Sequence, residues 1–250
     1  MNCSARAFSH WHKNWWDKPH PICQAEVRKS NLGSHMPSHA LCKFESNLLQ
    51  EVERLIKSHA QLNHSGRGRR GLGHITRSGV LMLCAAWELY LEEVLLESAK
   101  YLEIRCQKPD ELPLPVKKEL ASSVKKSKDE LKPLELAGDG WKTVYINHLE
   151  TTIASINTPK STIVDPIFER FLGIENLSNE WSLGSSAIDS FVQARGDIAH
   201  RGRDAQYVTI ERLRDYKAGV RQTVVETDNR LASYLRDASH SRRMPWNRKT

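Results

Sequence analysis

The chain has 250 residues and a mass of 28.6 kDa, enough to bury a hydrophobic core without disulfide or metal staples, so a miniprotein is excluded. Its formal net charge is +7, but residues 1–35 carry +3 of it and the last twelve residues carry the other +4. Residues 36–238 are therefore formally neutral, so any anion-binding site in the body of the protein must be local.

Neither a membrane-spanning helix nor a secretory signal is visible in the sequence. The longest apolar run, residues 80–87, is far shorter than the roughly 20 residues that a bilayer requires. Residues 1–35 lack the apolar core of a signal peptide. The five cysteines are odd in number and widely spaced, which favours reduced thiols. We therefore expect a soluble protein of the reducing cytoplasm that does not associate with membranes.

The first 35 residues show neither helical nor strand periodicity, and we predict a disordered or non-native leader over residues 1–35. The string at residues 33–36 matches a tag-cleavage scar, and a mis-assigned upstream start codon would explain the segment equally well. Potential zinc ligands occur here, but their spacing matches no structural zinc pattern: Cys3, His10, His12, His20 and Cys23. Scattered histidine is the preferred interpretation, and no metal or other cofactor is predicted.

From residue 38 onward, apolar residues recur at three- and four-residue steps, which predicts amphipathic helices. The second of these helices is apolar all round in its first half and narrower in its second, so we expect it to start in the centre of the core and then to leave it. A Lys-rich third helix should pack weakly, and Ser185 or Ser186 should cap the penultimate one. The predicted helices span residues 38–62, about 75–104, 116–131, 141–156, a short piece near 166–172, 185–201 and 208–235.

No segment shows convincing strand alternation, and no repeat of fixed period is present. The sequence therefore predicts an all-α fold: a helical bundle of about five to seven helices with two long core helices. We expect the domain to span residues 36–238 and to be followed by a flexible basic tail over residues 239–250.

Residues 66–71, Gly-Arg-Gly-Arg-Arg-Gly, match the dinucleotide-binding fingerprint letter for letter. A helix rather than a strand is predicted before them, which argues against a Rossmann nucleotide site. Two interpretations stay open. The segment is either a flexible interhelical loop or a phosphate-binding loop in which Arg67, Arg69 and Arg70 contact RNA.

Arg195 breaks the apolar pattern of the penultimate helix. It lies four residues after Phe191 and seven after Ile188, in the middle of that helix's apolar stripe. An unpaired charge in a core costs several kcal/mol, so Arg195 needs an internal partner such as Glu88 or Glu92, an anionic ligand or a wet interface. Departures of this kind from the binary pattern are expected at functional sites.

His200 follows five residues later, about 140° further round a regular helix and close to its end at Gly202. A histidine can move the proton of a ribose 2′-hydroxyl, and an arginine can stabilise the charge that gathers on phosphate. Arg195 and His200 are therefore a candidate pair for RNA chemistry, although an Arg-x4-His spacing alone is a weak pattern.

The surrounding sequence resembles the HEPN superfamily, and in particular the RiboL-PSP-HEPN group of nucleases often found near bacterial defence loci. The resemblance lies in Met36-Pro37-Ser38 at a helix start, in Ser-Gly-Arg-Gly-Arg-Arg at residues 65–70, in Leu-Cys-Ala-Ala-Trp-Glu at residues 83–88 and in the Arg-x4-His motif. It implies a metal-independent endoribonuclease that acts as a homodimer and leaves a 2′,3′-cyclic phosphate. Carried over residue by residue, it gives Arg195 and His200 as the catalytic pair.

Family motifs usually place Asn, Asp or His directly after the arginine, whereas this chain has Gly196 there. The nearest acid, Asp197, is therefore assigned only a supporting role, and Arg201 and Arg203 are assigned to RNA binding together with the loop arginines. A role in toxin-type or antiviral defence, with an antitoxin or other defence partner, follows from the same resemblance. Two alternatives remain: a HEPN-like module that binds RNA or protein without cleavage, and a helical scaffold with Arg195 in a salt bridge.

Overall fold

The structure, a computed structural model, describes residues 36–63 and 69–250, with the backbone alone for Arg69 and Arg70. The predicted leader at residues 1–35, its candidate zinc ligands and Arg67 lie outside these residues. Seven helices form the described part of the chain: α1 (His39–Lys43, a π-helical turn at Phe44–Leu48, and Leu49–Leu62), α2 (Gly73–Arg105), α3 (Leu114–Lys125), α4 (Gly140–Ile153), α5 (Ser161–Leu172), α6 (Ser185–Arg201) and α7 (Ile210–Ala238).

The described residues contain no β-strand, and the predicted all-α bundle with two long core helices is confirmed. Residues 36–250 form one compact unit. None of the helices described is both long and apolar enough to cross a membrane.

The long helix α2 is the centre of the core along its whole length. Val94, Leu95 and Leu102 in its second half are fully buried, so the prediction that this half leaves the core is wrong. Both halves also expose large apolar side chains: Leu81 and Met82 in the first and Ile104 at the end of the second. The helix stays central because it packs against α1, α7 and α6 as well as against α4 and α5.

The second long helix, α7, runs beside α2 at close range. A Cβ atom on Gly79 would lie only 2.4 Å from Leu213 Cδ2, so any larger residue at this position would force the buried Leu213 side chain to move. Further along the pair, the buried Tyr90 hydroxyl donates to the carbonyl oxygen of Val224 at 3.1 Å. These two contacts fix α7 parallel to α2. Helix α6 packs against both of them.

Two predicted boundaries differ from the structure. The Lys-rich third helix ends at Lys125 rather than near residue 131, and Lys132–Leu136 forms a separate 3-10 turn. The short piece near Pro166 is the second half of a full helix that begins at Ser161. That start is fixed from outside, because the Asp189 carboxylate on α6 accepts hydrogen bonds from the Ser161 amide and hydroxyl, both at 2.7 Å.

The C-terminal segment after α7 packs on the bundle, so the predicted flexible tail is corrected. Trp246 is only 5% exposed and donates to the carbonyl oxygen of Asp228 at 3.2 Å. Lys249 and Asn229 exchange two hydrogen bonds, at 2.7 and 2.8 Å. A tryptophan in an otherwise basic segment supplies the apolar contact that a free tail would lack.

Candidate functional site

The helix that carries the Arg-x4-His motif, α6, presents the predicted apolar stripe to the core through four buried residues: Ile188, Phe191, Val192 and Ile198. Gly184, with φ of 75°, is its N-cap, and no side chain caps the helix, so the predicted serine cap is wrong. Gly202, with φ of 55°, ends the helix as predicted, because a residue without Cβ adopts positive φ at little cost.

Arg195 lies where α6 passes α2, and it has an internal partner. Its Nη2 donates to Glu88 Oε1 at 3.1 Å, and the two side chains are 27% and 21% exposed. This is one of the partners that the sequence suggested for a charge on the apolar stripe. The contact occupies one of the five N–H donors of the guanidinium, and the side chain keeps part of its surface in solvent. Arg195 is therefore fixed in place and still able to bind an anion.

The surroundings of Glu88 on α2 contain two further titratable groups, one turn away on either side. Burial raises the pKa of the Cys84 thiol to about 12, so this cysteine is inert at neutral pH. Burial also raises the pKa of Glu92 to about 7, and the charges of Glu88 and Glu93 add to the effect. Arg195 thus contacts Glu88, while the carboxyl group of Glu92, one turn further along α2, has a pKa raised to about 7.

His200 lies in the last turn of α6 and its side chain is exposed. Within the part of the chain that the structure describes, the imidazole makes no hydrogen bond or ion pair, and the only hydrogen bond of Arg195 goes to Glu88. Within one copy of the chain, Arg195 and His200 are therefore not hydrogen-bonded to each other. This agrees with the helical spacing, which predicts that they lie on different sides of α6. Asp197 is half-buried, and Arg201 and Arg203 are exposed.

The turn that precedes α2 and the segment that follows α6 come close together. The turn Arg69–Leu72 leads directly into α2 at Gly73. A Cβ atom at Gly73 would lie 3.2 Å from Tyr207 Cε2, on the segment that follows Arg203. The backbone of Arg69 and Arg70 is therefore close to the segment that leaves α6, which contains Arg203.

An apolar stripe lies on the outer side of α2, on the same helix as Glu88. Leu81 and Met82 are each 38% exposed, and Ala85 is exposed one turn later. Their three- and four-residue spacing places them on one face. The sequence analysis assigned these residues to the core because they belong to the longest apolar run, and periodicity alone does not distinguish a buried face from an exposed one. We call Leu81, Met82 and Ala85 the α2 stripe.

The connection between α4 and α5 also reaches the site, and the sequence analysis did not single it out. Thr158 donates its amide to Glu88 Oε1 at 3.2 Å, so this oxygen accepts from both the turn and Arg195. Thr158 has φ of 57°, which is unusual for a β-branched residue. The sequence signal at this position is limited to Pro159, which marks a helix break without indicating what the turn contacts.

Comparison with known proteins identifies a family. The family model described as RiboL-PSP-HEPN matches residues 46–233, which is more than half of the chain and includes Glu88, Arg195 and His200. No curated protein and no solved structure matches the chain significantly.

Proposed function

Because the chain belongs to the RiboL-PSP-HEPN family, we propose that it is a metal-independent endoribonuclease that cleaves RNA through attack by the ribose 2′-hydroxyl. His200 moves the proton of that hydroxyl, and Arg195 stabilises the negative charge that develops on the phosphate. The reaction leaves a 2′,3′-cyclic phosphate on one fragment and a 5′-hydroxyl on the other.

This proposal rests on the position of the Arg195 guanidinium and on its partial exposure to solvent. It is held at the edge of the core by a single hydrogen bond to Glu88 and keeps 27% of its side chain exposed. A fixed cation with unused donors suits a charge that appears only in the transition state, because no reorganisation is needed when that charge forms. The exposed imidazole of His200 leaves both ring nitrogens free for proton transfer.

We further propose that the complete site forms between two copies of the chain. Arg195 and His200 lie on different sides of α6, and no hydrogen bond of the described residues joins them. The α2 stripe offers an exposed apolar surface, on the same helix as Glu88, on which a second copy can pack. In such a homodimer, the Arg195 of one copy and the His200 of the other can act on one phosphodiester.

RNA outside the reacting phosphate would be held by arginines near the end of α6 and before α2. Arg201 and Arg203 are exposed after the motif, and the Arg69–Leu72 turn lies near the segment that follows them. Guanidinium groups suit phosphate oxygens because they form paired hydrogen bonds. We propose that Arg67, Arg69 and Arg70 also bind RNA. A role in toxin-type or antiviral defence, with an antitoxin or defence partner, is proposed from the family resemblance.

The deciding experiment is cleavage of a defined single-stranded RNA by the purified chain in excess EDTA. We expect cleavage with a cyclic phosphate end, no cleavage of DNA or 2′-O-methyl RNA, and a loss of about a hundredfold or more in His200→Ala. His240→Ala is the matched control, because His240 is also exposed but lies after α7, outside the proposed site. Equal rates for His200→Ala and wild type, or loss of cleavage in EDTA, would reject the mechanism.

The second candidate function is a HEPN-like module that binds RNA or a protein without cleaving. The ion pair between Arg195 and Glu88 favours it, since an internal, partly buried pair explains the arginine without any ligand. The same assay separates the two functions. Tight RNA binding that persists in His200→Ala, without cleavage by either protein, would support the binding module.

A further inference from the structure

The turn Thr158–Ser161 lies between α4 and α5 in the chain. It forms hydrogen bonds with both α2 and α6, the two helices of the candidate site. On the α2 side, Trp87 Nε1 donates to the carbonyl oxygen of Pro159 at 3.0 Å, and the amide of Thr158 donates to Glu88 Oε1 at 3.2 Å. Consecutive residues of α2 thus hold consecutive residues of the turn. Trp87 is completely buried, so this attachment is part of the core.

On the α6 side, the same turn is held by two residues one helical turn apart. Asp189 accepts both the amide and the hydroxyl hydrogen bonds of Ser161, and Gln193 Oε1 accepts from Lys160 Nζ at 2.8 Å. Arg195 follows on the same helix and donates to Glu88 Oε1. The turn, α2 and α6 therefore each form hydrogen bonds with the other two. Glu88 Oε1 is shared, because it accepts from both the Thr158 amide and Arg195 Nη2.

The backbone of the turn is strained at the residue that contacts Glu88. In the described residues, three non-glycine residues have positive φ: Thr158, Asn176 and His240. Asparagine and histidine adopt this region more readily than a β-branched threonine does. A conformation of this kind persists only where the surrounding contacts determine it, and such residues cluster at functional sites. Thr158 adopts this conformation while its amide donates to Glu88 Oε1.

We propose that Glu88 is the positioning residue of Arg195, and that the Thr158–Ser161 turn fixes the carboxylate of Glu88 for this purpose. Glu88 does not contact the RNA; it acts through the arginine. The inference rests on the proposed function, because it assigns to Glu88 the task of holding the group that stabilises the transition state. A displacement of about 1 Å in such a group is enough to slow a reaction by about a hundredfold.

Two features favour positioning over inhibition by Glu88. The carboxylate is fixed by a backbone amide as well as by Arg195, so it would stay in place when RNA binds. It engages the guanidinium through Nη2 alone, so the other donors stay available to a phosphate.

The test compares Glu88→Ala, Glu88→Gln and the control Glu93→Ala in the full chain. Glu93 lies on the same helix and pairs with Lys43 at similar exposure, 26% and 25%, away from Arg195. We expect Glu88→Ala to lower kcat about a hundredfold with KM changed by less than about threefold, because positioning acts on the transition state. Glu88→Gln, which retains the acceptor, should recover about tenfold of that loss. Glu93→Ala should retain the wild-type kcat.

Two further measurements test whether Glu88 acts through Arg195. In the Arg195→Ala background, Glu88→Ala should cause no additional loss, because the two residues act as a unit. In protein labelled with ¹⁵N-arginine, the Arg195 signal should show restricted rotation of the guanidinium in wild type and Glu93→Ala and free rotation in Glu88→Ala. Wild-type or higher kcat in folded Glu88→Ala, or unchanged rotation, would overturn the inference. A wild type that cleaves no RNA would reject the proposed function, and the NMR result would then decide the inference by itself.

Discussion

Arg195 and Glu88, 107 residues apart in the chain, meet through a hydrogen bond of 3.1 Å between Nη2 and Oε1. The pair explains how a guanidinium can stand on the apolar stripe of α6, because both charges keep some contact with solvent and each has a partner. It also joins the two helices that carry the family's sequence features, the Leu-Cys-Ala-Ala-Trp-Glu string on α2 and the Arg-x4-His motif on α6.

The first prediction is that Arg195→Ala folds. A partly buried ion pair contributes about 1–2 kcal/mol, and Glu88 keeps the Thr158 amide as a donor after the arginine is removed. We expect urea denaturation to show a loss of this size and unchanged helical content. Lys43→Ala is the matched control, since it breaks a pair of similar exposure whose acidic partner, Glu93, lies on α2 like Glu88. An unfolded Arg195→Ala with a folded Lys43→Ala would favour the helical scaffold over any ligand-binding role.

The second prediction concerns the strain at Thr158. Glycine adopts the φ of 57° without the Cβ clash and still donates its amide to Glu88, so Thr158→Gly should stabilise the protein by about 0.5–1 kcal/mol. Thr143→Gly serves as the control, because Thr143 is exposed within α4 and glycine should cost about 0.5 kcal/mol there. Urea midpoints that shift in opposite directions would support the argument; a loss in both variants would show that Thr158 is not strained.

The helices were predictable because their apolar residues recur with the helical period, and this signal depends only on neighbours along the chain. The partner of Arg195 was predictable only as a choice between Glu88 and Glu92, since periodicity does not fix how two helices are rotated against each other. The exposed α2 stripe and the Thr158–Ser161 turn were not predictable in this way. Both depend on contacts between segments far apart in sequence. The local pattern of apolar residues does not indicate which residues of two such segments face each other.

The third prediction follows from the packing of the C-terminal segment. Trp246 is 5% exposed and bonded to the Asp228 carbonyl, so Trp246→Ala should lower the free energy of unfolding by about 2–4 kcal/mol. Arg248→Ala, two residues later and exposed, should change it by no more than about 0.5 kcal/mol. The measurement is urea denaturation followed by circular dichroism. Equal stability of the two variants would show that the segment does not pack in solution.

The fourth prediction tests the proposed homodimer. Light scattering should give about twice 28.6 kDa for the wild type, and Met82→Asp should give the monomer mass, because a carboxylate in the α2 stripe would be buried without a partner. Ile104→Asp is the control on the same helix: Ile104 is 67% exposed, compared with 38% for Met82, but lies at the opposite end of α2. The monomeric variant should also lose RNA cleavage. A monomeric wild type at tens of micromolar would reject the shared site.

The last prediction is a pH dependence of stability that originates at Asp228. This residue is completely buried on α7, and its carboxylate accepts hydrogen bonds from the Ser38 amide at 3.4 Å and from the Ser38 hydroxyl. Burial raises the pKa of Asp228 from 3.8 to about 7, and the bonds from Ser38 offset only part of this effect. Between about pH 4 and pH 7 the folded protein therefore binds a proton that the unfolded chain has lost.

Stability falls with rising pH wherever the folded state holds more protons, so the free energy of unfolding should decrease from pH 4 to pH 7 and level off above. The contribution of Asp228 is on the order of 2 kcal/mol or more. Asp228→Asn should remove it and flatten the profile. Some slope should remain, because burial also raises the pKa of Glu97 and of Glu92. Asp237→Asn is the control. Asp237 is exposed, and the hydrogen bond from Arg236 lowers its pKa, so this carboxyl group does not change protonation between pH 4 and pH 7. Urea titrations at pH 4.5, 6 and 8 decide the matter: a profile that is equally steep in Asp228→Asn and Asp237→Asn would exclude Asp228 as the source.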